Sequence, residues 1–72
     1  MLLVRIDVFE NELSQKQSLA LITEITNVIA SVTSEKLRDV TWVMINEVKD
    51  GHWGVAGRAL GLDDVKRLMT ED

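Results

Sequence analysis

The sequence predicts an α/β (α+β) fold built as a β-α-β unit. Three observations carry that prediction: two-residue alternation near the start, an apolar stripe at helical spacing in the middle, and a second strand-like apolar run after it. A strand, a crossover helix and a second strand in one sheet make a parallel pair with a right-handed connection.

Residues 2 to 9 place Leu2, Val4, Ile6 and Val8 on one face and Leu3, Arg5, Asp7 and Phe9 on the other, the pattern of a half-buried strand. Glu10, Asn11 and Glu12 then form a polar break. Ser14, with Gln17 three residues on, makes a capping box that satisfies orphan amides at a helix start, so a helix is expected from Gln15 to Val32. Its apolar stripe is Leu21, Ile22, Ile25, Val28, Ile29 and Val32, while Thr23, Glu24, Asn27 and Ser31 lie on the wet side. Ser34 caps a single turn, Glu35 to Arg38, anchored by Leu37. Residues 40 to 48 form the second strand, and the unbroken run Trp42 to Ile45 calls for cover on both of its faces. Gly51, Gly54, Gly57 and Gly61 mark residues 51 to 60 as turns with room for a short hairpin. Asp63 is expected to cap a closing helical turn in which Val65, Leu68 and Met69 share a face. Arg5, within the first strand, is expected to pair with an acidic neighbour.

Composition narrows what such a chain can be. At 72 residues it is a single domain, 1–72, with too much surface for a generous core. The absence of cysteine excludes disulfides and thiolate metal sites, and a lone histidine cannot make a closed zinc site, so no metal or cofactor is expected. Association is the remaining supplement, because two strands do not make a stable sheet and their edges offer unpaired amides and carbonyls. A homo-oligomer, from dimer to hexamer, follows as the expectation. The net charge of -4 and the lack of a basic block argue against nucleic acid. The run Met1 to Val4 is broken at once by Arg5 and Asp7, too short for a membrane span or a signal peptide, and a cytoplasmic protein is expected.

With these elements in order, three local patterns resemble the small members of the tautomerase superfamily related to 4-oxalocrotonate tautomerase: Leu3-Val4-Arg5-Ile6-Asp7-Val8, Gln15-Lys16-Gln17, and, most specifically, Asn46-Glu47-Val48-Lys49-Asp50-Gly51-His52-Trp53-Gly54-Val55-Ala56-Gly57. The likeness covers roughly residues 2 to 58. It implies β-α-β subunits that pair into four-stranded sheets and gather as hexamers. It also implies keto-enol isomerisation of small planar enol or oxo acids by an amino-terminal proline, whose amine is kept in its basic form by an apolar pocket. This chain contains no proline, and Leu2 stands where the family's proline would be. Leucine there is too bulky for ordinary methionine removal, so the terminal amine is expected to belong to Met1 and to be displaced. The arginines that hold dicarboxylates in the resembled enzyme are also unmatched, since the corresponding stretches read Glu10-Asn11-Glu12 and Val40-Thr41-Trp42. No catalytic residue is therefore assigned. The resemblance leaves Leu2, Phe9, Trp53 and Arg58 as substrate-binding positions, with Trp53 at the family's aromatic pocket position and Phe9 as a second apolar wall.

Each of these has a plainer reading. Trp53 either stacks on a planar conjugated ligand or buries its ring at a subunit contact. Arg58 and Arg38 are anion-binding candidates, yet isolated arginines commonly sit in surface ion pairs. His52 in a turn reads as a solvated or packing residue rather than a proton relay. Glu24, Glu47, Asp63 and Asp64 fall on different elements and read as caps and solvated charges. Trp42 and Met44 read as core or interface residues. Two functional readings remain open: a tautomerase-like protein whose activity is weak or absent for want of the proline, or a non-catalytic subunit or binding module, including one that joins a proline-bearing homologue in a hetero-oligomer.

Overall fold

The computed structural model describes residues 1–70; the last two residues of the expected 1–72 unit lie outside the described residues. The chain runs β1 (Leu2–Phe9), α1 (Gln15–Val32), a 3₁₀ turn (Glu35–Val40), β2 (Thr41–Val48), β3 (Trp53–Val55), β4 (Arg58–Leu60) and α2 (Leu62–Thr70). β1 and β2 are parallel neighbours, paired from Leu2 with Thr41 to Phe9 with Val48. The expected β-α-β unit is present, with β1 and α1 at the bounds the sequence predicts.

α1 starts where its capping box places it. The Gln17 amide donates to Ser14 Oγ at 3.1 Å, and the Ser14 amide donates to Gln17 Oε1 at 2.9 Å. At the other end the Thr33 hydroxyl donates back to the Ile29 carbonyl at 2.6 Å. Ser34 then accepts from the Lys36 amide, and the turn it caps runs on to Val40, longer than the single turn expected. Arg38 ties this turn to α1 by donating to Glu35 Oε1 at 2.6 Å and Asn27 Oδ1 at 2.7 Å.

The sheet has two faces with different fates. On the side of α1, the half-buried residues are Leu2, Val4, Ile6 and Val8 of β1 with Thr41, Val43 and Ile45 of β2. The predicted helix stripe is broader than this narrow sheet can cover. Ile25 and Ile29 are half-buried and Ala30 is buried, but Val28 and Val32 stay exposed, Val32 at 79%. Cover on both faces of β2 is not reached within the chain either: Trp42 and Met44 are exposed on the side away from α1. On that open side Asn46 has its amide nitrogen shielded with no acceptor among the described residues, a local cost of about 1–3 kcal/mol.

β3 and β4 form the hairpin, joined by a two-residue turn at Ala56 (φ 51°) and Gly57 (φ 80°). Both positions are left-handed, as a type I′ turn requires, and at Gly57 the lack of a Cβ removes the strain. The cap of α2 corrects the expectation placed on Asp63. Asp50 Oδ1 accepts from the Leu62 amide at 2.8 Å and Asp64 Oδ2 from the Gly61 amide at 2.9 Å, while Asp63 is exposed in the first turn. Hairpin and α2 reach away from the β-α-β body. The radius of gyration is 15.0 Å, against about 11 Å for a compact chain of this length.

Candidate functional site

The four sequence-predicted binding residues fall in three places. Leu2 opens β1 and Phe9 closes it, so at strand rise they are roughly 23 Å apart. Phe9 and Trp53 are brought together, with ring centroids 5.0 Å apart and planes tilted by 35°. Phe9 is 4% exposed, so its ring is packed inside the chain, while Trp53 is half-buried above it. Arg58 lies on β4 with its guanidinium 3.4 Å from Asp64 Oδ1, where Arg67 also reaches at 3.3 Å.

At the start of β1 the register sets Leu3 beside Trp42. Met1, Leu2, Leu3 and Trp42 line an open hollow of about 340 Å³. All four are apolar, and Trp42 is 56% exposed. A hollow of this kind takes a planar apolar body by contact with the indole and offers a carboxylate no charged side chain. Trp42 as a wall of this hollow is the residue that sequence reasoning missed, because its pairing with Leu3 depends on strand register.

The far end of the sheet is polar. Glu10, Asn11, Lys49, Asp50 and Leu62 line a second hollow of about 340 Å³. Asn11 takes a left-handed conformation (φ 67°), with its amide donating to Glu47 Oε2 at 3.1 Å. The Phe9 amide donates to Glu12 Oε1 at 3.0 Å, so both carboxylates hold the turn after β1. The acidic turn Glu10-Asn11-Glu12 offers a carboxylate ligand no cationic partner. Elsewhere, Arg38 is held in its pair with Glu35, and that hydrogen bond keeps the Glu35 carboxyl below its ordinary range. The Asp64 carboxyl is also held low, chiefly by the Gly61 amide and then by Arg67 and Arg58. Among the described residues no helix is long and apolar enough to cross a membrane.

A parallel β-α-β unit carrying a hairpin arm, with an apolar hollow at the head of its first strand, defines a small α/β protein. Its sequence matches the tautomerase family, described as tautomerase enzyme, over residues 3–63. The chain belongs to the tautomerase family. Among solved structures it is similar to DmpI from Helicobacter pylori, with a TM-score of 0.62 and 18% identity over 99% of this chain and 97% of that one, a likeness of fold. No curated protein matches the sequence.

Proposed function

We propose that this chain is a tautomerase-like subunit of an oligomer that receives a small planar enol or oxo acid in the hollow beside Leu2, with proton transfer slow or lost. The observation that carries this reading is the make-up of that hollow: Met1, Leu2, Leu3 and Trp42 supply apolar contact and no basic side chain. In the family a proline amine at the head of β1 moves the proton; here Leu2 holds that place, and no side chain around it can take its role. Trp42 orients a planar ligand by stacking, and the side chains around the hollow offer a second carboxylate no cationic partner. The extended arm and the open sheet face support an assembly of several copies, on the family's pattern of four-stranded sheets and hexamers, in the cytoplasm.

The test is Leu2→Pro, with removal of Met1 checked by intact mass. Ketonisation of simple enol acids, followed by ultraviolet absorbance, should rise by about a hundredfold or more over the parent, since that is the worth of a positioned general base. Substrates with one carboxylate should gain more than dicarboxylates. A processed variant that assembles normally and shows no gain overturns the ligand-holding hollow and favours the second reading, a non-catalytic subunit. The specific support for that second reading is Leu2 itself, and co-assembly with a proline-bearing homologue is its own check.

A further inference from the structure

The arm carries a charge arrangement that the hollow at the head of β1 does not use. Arg58 of β4 and Arg67 of α2 each donate from one nitrogen to the same oxygen, Asp64 Oδ1, at 3.4 and 3.3 Å. The second oxygen of that carboxylate accepts from the Gly61 amide at 2.9 Å. Among the described residues neither guanidinium has another acceptor, and the two arginine side chains are 72% and 65% exposed, so the remaining donors of both are within reach of a ligand. Leu60 and Leu68 complete this hollow of about 260 Å³, in which two positive charges face one negative charge. A second hollow, of about 410 Å³, shares Arg58 and Leu60 with it and adds Val55 and Ala56 at the hairpin turn. Val55 is the cross-strand partner of Arg58, and Arg58 and Leu60 are two residues apart on β4, so these three side chains lie on one face of the hairpin.

We propose that this face of the arm binds a small aliphatic monocarboxylate, its head held by Arg58 and Arg67 and its chain laid along Val55, Leu60 and Leu68. The head is a carboxylate because its two coplanar oxygens match the fork of a guanidinium, and Asp64 shows both arginines converging on one such group. It carries a single charge because one positive charge is left over once Asp64 is counted, and a second would face that carboxylate unpaired. The chain is aliphatic because, apart from the charged groups, both hollows are walled by aliphatic side chains alone, with Val55 and Leu68 exposed. Arg58 thus takes an anion as the sequence suggests, but on the arm and not beside Leu2. The site stands whether or not the hollow at the head of β1 holds an enol acid.

The experiment adds octanoate to the full isotope-labelled chain and follows its amide resonances. Those of Arg58, Leu60, Asp64 and Leu68 should move together and saturate. Acetate, which has the head alone, and octanol, which has the chain alone, should each bind about tenfold more weakly or worse. Arg58→Gln and Arg67→Gln should each weaken octanoate about tenfold, with the resonances of β1 and β2 unmoved. The localisation and the comparison of the three probes are read on the parent chain and do not depend on either variant. Octanoate shifts confined to Leu2, Leu3 and Trp42 overturn the arm site, as does octanol binding as tightly as octanoate. Arginine variants that bind octanoate as tightly as the parent overturn it too.

Discussion

Met44 and Ile45 are neighbours in β2, both apolar, and they face opposite ways. Ile45 lies on the side covered by α1 with Ile6 as its cross-strand partner, whereas Met44 lies on the open side next to Arg5. The chain completes one face of its sheet with its own helix and leaves the other open. The difference teaches where stability within one chain resides: on the α1 side, where the helix covers apolar side chains, and not on the open side, where Trp42 and Met44 stay exposed.

The strongest way to break that comparison is to place a carboxylate on each side in turn. Ile45→Asp loses an apolar contact and sets a charge beneath α1, so it should cost about 4 kcal/mol or more and abolish the far-ultraviolet helix signal at every protein concentration. Met44→Asp should act on association instead. The parent's Tm should rise with protein concentration, and that dependence should vanish in Met44→Asp. Equal losses from the two variants would show that the faces are not divided in this way.

A smaller effect concerns the end where the open face is already covered. Phe9 is buried under Trp53, so Phe9→Ala should cost about 3 kcal/mol and shift Trp53 emission to the red as its ring loses its partner. Trp42 emits as well, and measuring in a Trp42→Phe background isolates the change. An unshifted spectrum would mean that the hairpin is held by something other than this ring pair.

The smallest expected effect is a pH dependence confined to the arm. The Asp64 carboxyl is lowered on folding, foremost by the Gly61 amide. A lowered carboxyl gives its full support above the ordinary value of an aspartate and loses it as pH falls through the lowered one. The Gly61 amide resonance should therefore hold steady at neutral pH and move only below about pH 4, with β1 and β2 resonances unaffected. Asp64→Asn should remove the transition. A shift of the Gly61 amide near neutral pH would assign its partner wrongly.

Much of the body was legible before any tertiary structure, because its signals are local. Two-residue alternation marks β1, and Ser14 with Gln17 marks the start of α1, since each depends on residues within one turn or one strand. The absence of proline and the acidic Glu10-Asn11-Glu12 turn were equally plain, because absence and identity need no geometry. The arm was less legible. The cap of α2 comes from Asp50, 12 residues before the amide it accepts from, and nothing in the run Gly61-Leu62-Asp63 distinguishes it from the nearer Asp63.

The sequence by itself determined the order of elements, the parallel pairing and the absence of any proline, all matters of periodicity, connection and residue identity. Only the tertiary structure decided that Phe9 lies under Trp53, that Leu3 meets Trp42 in an apolar hollow, and that Val28 and Val32 stay outside. Each of these turns on strand register or on how wide a two-stranded sheet is against an 18-residue helix, and such relations between distant segments leave no local trace in the chain.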